Sequence, residues 1–173
     1  MDALLTDLLF EFRRHKSLAD RAMASLDDRD FSARPAPHVN PIAIIVKHLA
    51  GNLASRWLDF RAADGDKPAR DRDAEFVLTD ADTRPGLAAA WERGWAALFD
   101  AVQGLSGADL DRPLTIRGER HTVRQALLRG MAHAAYHTGQ VLYVARLVRP
   151  DAPWLTIAPG QSRSFPGAYR STP

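Results

Sequence analysis

Residues 131–147, MAHAAYHTGQVLYVARL, contribute most to the fold that this sequence predicts. Their apolar side chains recur every three or four residues, which is typical of an amphipathic helix. Thr122 and, three residues later, Gln125 form the capping-box pattern with which such a helix begins. We therefore expect one long helix over residues 123–148.

Three earlier segments have the same helical periodicity. Asn40 is expected to cap the second of them, with Pro41 in the first helical position, where its missing N–H costs nothing. Gly51, inside that helix, predicts the close approach of a neighbouring backbone. Four long helices with two longer links favour an all-α four-helix bundle, with residues 1–173 as one domain. The three segments cover residues 2–26, 41 to between 60 and 63, and 83–103.

The remaining segments are predicted to be less regular. Residues 111–123, DRPLTIRGERHTV, alternate in polarity and predict a short β-hairpin that turns at residues 118–119. Residues 27–41 are rich in turn formers, and residues 64–82 form a charged, solvated loop of a length that is often functional. The irregular tail, residues 150–173, is expected to pack on the bundle through its apolar side chains. These are Trp154, Leu155, Ile157, Phe165 and Tyr169.

The composition excludes several classes of function. The chain has no cysteine, so it cannot form disulfides, thiolate metal ligands or a cysteine nucleophile. Its net charge is only +2 and its basic residues alternate with acids, so nucleic-acid binding is not expected. No apolar stretch approaches the ~20 residues of a membrane span, and the acidic start lacks the pattern of a secretory signal. We therefore expect a cytoplasmic protein that acts on a small molecule and does not associate with a membrane.

Three histidines form the candidate site. His133 and His137 lie four residues apart on the last predicted helix and so project from the same face. His48, in the apolar stripe of the second predicted helix, would complete a site of three imidazoles. Three nitrogen ligands leave one coordination position for water or substrate, which is typical of a catalytic centre. This donor set suits zinc by default, and also nickel or iron(II).

The histidine spacing does not by itself require a metal. Two histidines four apart also arise by chance when 6 of 173 residues are histidine. Residues 134–136 are Ala-Ala-Tyr, so the glutamate of the zinc-peptidase motif is missing and that activity is excluded. His15 is an alternative third ligand, because it shares a helix side with apolar residues. His38 and His121 are expected to be solvated.

Several polar residues lie close enough in sequence to serve this site. Asn52 and Gln140 are expected to accept the second ring N–H of a ligand histidine or to reach the substrate. Arg56 is expected to pair with a carboxylate such as Asp59 or to anchor an anionic substrate. Tyr136 is expected to pack with its polar tip in contact with solvent or with substrate. We therefore predict a substrate site beside the metal, formed in part by these residues.

The segments over residues 40–57, 117–127 and 131–147 together resemble the DinB-like superfamily of small bacterial metalloenzymes, and most closely an uncharacterised subgroup of it. The resemblance extends from the first helix into the tail. It implies an up-down-down-up four-helix bundle that forms a homodimer. It also implies a metal triad of one histidine on the second helix and two on the last, which matches the three histidines named above without substitution.

The resemblance further implies a reaction. Related proteins include transferases and an isomerase that use low-molecular-weight thiols such as mycothiol, bacillithiol or glutathione. The leading hypothesis is therefore a divalent-metal-dependent transferase with a thiol cosubstrate. A metal-dependent hydrolase is one alternative, and a non-catalytic dimeric bundle that binds a ligand or a partner around a structural metal is another.

Overall fold

The computed structural model describes residues 2–164. Four long helices, one short helix and a small two-stranded antiparallel sheet make up its regular structure, so the predicted helical fold and the predicted hairpin are confirmed. The elements are α1 (Ala3–Ala24), α2 (Asp28–Ser32), α3 (Ile42–Trp57), α4 (Arg84–Gln103), β1 (Pro113–Ile116), β2 (Glu119–Thr122) and α5 (Val123–Val148), with 3₁₀ turns at Ala74–Phe76 and Gly107–Asp109. Within this part of the chain, no helix is both long and apolar enough to cross a membrane.

Capping side chains set the starts of three long helices. The side chains of Asp2 and Thr83 each accept a backbone N–H from the first turn of α1 and α4. Thr122 and Gln125 form the predicted capping box of α5, in which each side chain accepts the other residue's backbone N–H. These contacts satisfy N–H groups that have no partner within the helix.

Helix α3 differs from its prediction at both ends. It begins at Ile42 with Pro41 in the capping position, and Asn40 makes no capping hydrogen bond, so the predicted cap was wrong by one residue. The helix ends at Trp57, several residues before the predicted end. Asp59 has a φ of 51°, a left-handed conformation that an α-helix cannot continue through.

The segment over residues 27–41 contains a helix where only a loop was expected. The carboxylate of Asp27 accepts the N–H of Asp30 and so caps the single turn of α2. Phe31, in that turn, is only 3% exposed and belongs to the main core. Burial of this one aromatic ring accounts for helix in a segment rich in turn formers.

The hairpin turns one residue earlier than predicted. Arg117 and Gly118 are its two central residues, with φ of 56° and 75°. A two-residue type I′ turn requires positive φ at both positions, and glycine adopts it without strain. Strand β2 therefore begins at Glu119, which pairs with Ile116.

The core lies between the four long helices and is rich in aromatic side chains. Trp91 and Trp95 on α4 are almost fully buried, and the ring of Trp95 packs edge-on against Phe12 of α1 at 6.4 Å. Helices α3 and α4 are the most closely packed pair. A Cβ added to Gly94 would lie 2.9 Å from the carbonyl oxygen of Ala50, so this glycine permits the approach.

The charged loop over residues 64–82 is mostly exposed or half-exposed, as predicted, but it is also fixed to the hairpin. The carboxylate of Asp64 accepts the backbone N–H groups of Arg117 and Gly118 at 2.8 and 2.9 Å. The N–H of Gly65 donates to the carbonyl oxygen of Thr115 at 2.9 Å. The loop consequently has a defined path across the molecule and can position side chains at a site.

The described part of the tail lies along α5 and makes only partial contact with the core. Leu155 packs against the core, whereas Trp154 and Ile157 are 51% and 44% exposed. The guanidinium of Arg146 lies 4.3 Å from the centre of the Trp154 ring. The predicted packing of Phe165 and Tyr169 falls outside the described residues.

Candidate metal centre

Three imidazole rings from two helices meet at one point and form the histidine cluster: His48 of α3 with His133 and His137 of α5. The ring centres of His48 lie 5.5 Å from His133 and 4.9 Å from His137, and the two α5 rings lie 4.4 Å apart. One nitrogen of each ring lies within 4.8 Å of the others. Among residues 2–164, no other group of three or more potential ligands lies close enough together to share a metal ion.

A buried ion pair orients His48. The Nδ1–H of His48 donates to the carboxylate of Glu75 at 2.8 Å. Arg70 donates to the same carboxylate from Nε and Nη2, at 2.7 and 2.8 Å. Burial alone would raise the pKa of Glu75, but the hydrogen bonds from His48 and Arg70 outweigh it and hold that pKa below its usual range. Because Nδ1 carries the proton, the lone pair of Nε2 is available to a metal.

Gly51 makes room for this carboxylate. A Cβ at residue 51 would overlap the Glu75 carboxyl group, which lies directly against the α3 backbone. The prediction that Gly51 admits a neighbouring backbone was therefore wrong, because the neighbour is a side chain. Phe76, the next residue, packs its ring 4.8 Å from the ring of His48 and closes one side of the site.

A local contact orients His137. Its Nδ1 donates to the side-chain oxygen of Gln140, three residues further along α5, at 2.7 Å. The Nε2 of His137 lies 3.0 Å from the Nε2 of His133. Gln140 thus occupies the position predicted for a hydrogen-bond acceptor. Asn52 does not, because Glu75 is the partner of His48.

The electrostatic environment keeps the α5 histidines neutral. Burial, with smaller contributions from His137, His48 and nearby arginines, lowers the pKa of His133 to about 3. Burial also lowers the pKa of His137 to about 4, although the hydrogen bond to Gln140 acts in the opposite direction. Both rings are therefore uncharged at pH 7, the form in which imidazole binds metals.

The donor set fits a divalent transition metal. Zinc binds imidazole nitrogen at about 2.0–2.1 Å. Two Nε2 atoms that lie 3.0 Å apart can both reach one ion at that bond length. His48 offers a third nitrogen within 4.8 Å of these two, so the cluster has three nitrogen donors for such an ion.

The remaining histidines lie away from the cluster. His15 faces Glu11, with its Nε2 4.0 Å from that carboxylate, so the alternative of His15 as third ligand is not favoured. His38 is exposed, as predicted. His121 is half-buried, with its Nε2 3.8 Å from Glu119, so the prediction that it is solvated was wrong.

Two cavities border the histidine cluster. The basic cavity has a volume of about 220 Å³ and the amide cavity about 320 Å³, and both reach His48 and His133. The basic cavity is lined by His48, Asn52, Arg56, Arg70, Arg72, Arg117, Arg129, Gly130 and His133. The amide cavity is lined by Asn40, Ile45, His48, Arg72, Phe76, His133, Tyr136, His137 and Gln140.

The predicted substrate residues divide between these cavities. Asn52 and Arg56 line the basic cavity, and Tyr136 and Gln140 line the amide cavity. Tyr136 is 63% exposed, so it is not a packing residue, although its ring lies 4.9 Å from that of His137. Within the described residues Arg56 forms no ion pair, so the expected pair with Asp59 is absent.

Sequence reasoning missed several residues of this site, among them Glu75, Arg70 and Arg129. Glu75 stands in EFVL, the one apolar stretch of the long charged loop, which was a signal that this part of the loop is buried. Arg129 lies one helical turn before His133 and therefore projects from the same face. Nothing in the sequence around Arg70 distinguishes it from the other charged residues of the loop.

Comparisons with known proteins agree with the helical fold. The family model described as "Protein of unknown function (DUF1572)" matches residues 2–161. None of the curated proteins matches the chain. A solved structure, "Crystal structure of the conserved protein of locus from Enterococcus faecalis", is similar with a TM-score of 0.64 and 16% identity, over 86% of this chain and 98% of that one. At that identity, the similarity shows the fold alone.

Proposed function

Since this chain belongs to the family described as Protein of unknown function (DUF1572), whose description states no activity, we propose its function from its site. The protein is a metal-dependent enzyme in which His48, His133 and His137 bind one divalent ion, zinc by default. The observation that carries this proposal is the convergence of three imidazoles, two of them oriented by Glu75 and Gln140. Partners of this kind fix the tautomer of ligand histidines.

We also propose that the four long helices form an up-down-down-up bundle of the DinB-like type. Side-chain contacts support this topology, because in them α5 is antiparallel to α3 and parallel to α1, whereas α4 is antiparallel to α1. Between α3 and α5, Trp57 contacts Gly130 and His48 contacts His137. Between α1 and α5, Phe12 contacts Gly130 and His15 contacts Thr138. Between α1 and α4, Lys16 contacts Glu92 and Asp20 contacts Trp91. The homodimer and the cytoplasmic location remain predictions.

Access to the cluster favours an enzyme over a structural metal site. Within the described residues, the cluster contains three potential ligands and no fourth. A structural zinc site is usually closed by four protein ligands, whereas a catalytic site keeps one position for water or substrate. The basic and amide cavities both reach His48 and His133, so a reactant can approach the cluster from either side.

The chemistry we propose is transfer of a group to or from a low-molecular-weight thiol. A bound divalent metal acts as a Lewis acid that lowers the pKa of a coordinated thiol or water. Glu75 and Gln140 hold the Nδ1–H groups of His48 and His137, so both rings present Nε2 inwards. The ring of Phe76 packs against that of His48 and covers one side of the cluster.

Metal analysis of variants tests the ligand assignment. We expect the purified protein to hold about one divalent ion per chain. His48→Ala and His133→Ala should each lose it, because two imidazoles bind such an ion far more weakly than three. His38→Ala and His15→Ala are matched controls that remove a histidine outside the cluster and should keep the ion. Full metal retention in both ligand variants would refute the assignment.

A spectroscopic experiment tests the thiol. Replacing the native ion with cobalt(II) makes thiolate coordination visible as a charge-transfer absorption in the near ultraviolet. We expect glutathione, bacillithiol or mycothiol to produce that band in the wild-type protein and not in His133→Ala. If none of the three thiols produces it while cobalt is bound, the thiol proposal fails. Turnover without thiol would then indicate the alternative, a metal-dependent hydrolase with a bound hydroxide.

A further inference from the structure

The basic cavity combines metal-site histidines with an unusual number of arginines. Five guanidinium groups line it, together with His48, His133 and Asn52. The arginines come from three parts of the fold, namely the facing helices α3 and α5, the loop over residues 64–82 and the hairpin turn. They are Arg56, Arg70, Arg72, Arg117 and Arg129.

Helix geometry places two of these arginines opposite each other. Residues 48, 52 and 56 recur every four positions along α3 and so share one face, and Arg129 lies one turn before His133 on α5. The two helices run in opposite directions here, since Trp57 lies against Gly130 and His48 against His137. Arg56 and Arg129 therefore occupy the same level of the cavity, away from the histidine level.

These two arginines differ from Arg70 and Arg117 in lacking partners. Arg70 binds Glu75, and Arg117 donates from Nε to Asp66 at 2.9 Å. Arg56 and Arg129 form no hydrogen bond or ion pair with any described residue. The Nε of Arg56 is buried as well, so it has no contact with solvent. A buried donor without an acceptor is destabilising.

The charges at this level repel one another. Burial lowers the pKa of Arg56, and the positive charges of Arg129 and Arg70 lower it further, which together outweigh the opposite effect of the Asp66 carboxylate. A guanidinium nevertheless stays protonated in proteins, so the repulsion cannot be relieved by loss of a proton. An anion between Arg56 and Arg129 would both satisfy the unpaired donors and remove the repulsion between the two guanidinium groups.

We propose that the basic cavity binds the anionic end of the substrate, a doubly charged oxyanion that is either a phosphate monoester or a dicarboxylate. Guanidinium groups bind both through paired, parallel hydrogen bonds. The volume of about 220 Å³ suits a small molecule. Arg72 and Arg117, with side chains 50% and 53% exposed, attract the anion at the cavity entrance, and Arg56 and Arg129 hold it inside.

The position of the anion limits the length of the substrate. Arg56 lies two helical turns from His48 and Arg129 one turn from His133, which corresponds to roughly 6–12 Å along the helix axes. The reactive group and the anionic group of the substrate are therefore separated by a span of that order. The placement of that reactive end at the metal rests on the proposed function, but the binding of the anion depends only on the arginines.

Anion binding in the absence of metal tests this inference. Inorganic phosphate and malonate serve as probes, added to the purified protein and to chelator-treated protein, with chloride at equal ionic strength as the reference. We expect one of the two probes to bind, measured by calorimetry and by a rise in Tm. Arg56→Gln and Arg129→Gln should each weaken that binding about tenfold or more, since each removes charged hydrogen bonds.

Arg93→Gln is the matched control, because it removes an exposed arginine of α4 away from the cavity and should leave binding unchanged. Circular dichroism and metal content, measured on every variant, establish that each one is folded. Stronger binding of phosphate identifies a phosphate ester, and stronger binding of malonate a dicarboxylate. The inference would be overturned if neither probe binds more strongly than chloride. It would also be overturned if Arg93→Gln weakens probe binding as much as Arg56→Gln and Arg129→Gln do. If the untreated protein binds the anion but neither contains nor takes up a divalent metal, the proposed function alone is refuted.

Discussion

The two residues that orient the histidine cluster reach it in different ways. Glu75 contacts His48 from 27 residues away, carries a charge bound by Arg70, and is only 7% exposed. Gln140 contacts His137 from the next turn of the same helix, is uncharged and is half-buried. The first contact exists only when the loop has folded against α3. The second forms with α5 itself.

This difference separates stability from metal binding. Glu75 is part of a buried network, so its loss should weaken both the fold and the metal site. Gln140 is at the edge of the amide cavity, so its loss should affect the metal site with little effect on folding. Urea unfolding of the metal-free protein and metal affinity measure these two effects independently.

Removal of Glu75 should have the largest effect. Glu75→Ala leaves the guanidinium of Arg70 buried without its carboxylate, which we expect to lower the free energy of unfolding by about 3 kcal/mol. The imidazole of His48 also loses its acceptor, so the affinity for zinc should fall by about 10–100-fold. Urea unfolding and competition with a chelator measure the two quantities.

The control for that variant is Glu92→Ala, because Glu92 is 63% exposed and pairs with Lys16 at the surface. It should change the free energy of unfolding by less than about 1 kcal/mol and leave metal affinity unaltered. Equal stability of Glu75→Ala and Glu92→Ala would show that the buried network does not support the fold.

Gly51→Ala should disturb the same network indirectly. The added Cβ overlaps the Glu75 carboxyl group, which must move away from His48 and Arg70. Helix propensity favours alanine by about 1 kcal/mol, but the loss of charged hydrogen bonds of about 1.5–3 kcal/mol each should outweigh it. We expect lower stability by about 1 kcal/mol and weaker metal binding.

Gly139→Ala is the matched helical control. Nothing lies within 4 Å of a Cβ at residue 139, so only the helix propensity changes. This variant should be more stable by up to about 1 kcal/mol and should bind metal as the wild type does. If Gly51→Ala is stabilising to the same extent, Glu75 accommodates the methyl group and the close contact has no functional consequence.

Gln140→Ala should affect metal binding alone. His137 loses the acceptor for its Nδ1–H, and a water from the amide cavity replaces it only in part, so the metal affinity should fall about tenfold. The free energy of unfolding should change by less than about 0.5 kcal/mol, because Gln140 lies at the edge of the amide cavity and outside the buried core. Gln140→Glu, which retains an acceptor oxygen, should restore the affinity. A stability loss as large as that of Glu75→Ala would remove the distinction between the two partners.

The same distinction explains how much the sequence predicted. Periodicity and capping signals identified the four long helices, and spacing identified His133, His137 and Gln140, because each of these depends on a single helix. Glu75 was not found, since its contact depends on how a long loop folds back on α3. The end of α3 was misplaced for a similar reason, because the backbone conformation at Asp59 is not encoded in the apolar pattern.

The smallest effect is expected at the attachment of the Glu75 loop to the hairpin. The pKa of Asp64 lies below its usual value of 3.8, mainly because its carboxylate accepts the backbone N–H of Gly118. Burial opposes this shift, and the N–H groups of Asp66 and Arg117 add to it. A lowered pKa in the folded state means that the carboxylate stabilises the fold above pH 3.8 and loses this effect as the pH falls through the folded value.

Asp64→Asn should therefore be less stable than the wild type at pH 7, by about 1 kcal/mol or less, and the difference should shrink towards pH 3. Metal affinity at pH 7 should stay unchanged, because Arg70 and His48 hold Glu75 directly. A loss of metal affinity in this variant would show that the hairpin attachment, and not the buried ion pair, positions Glu75.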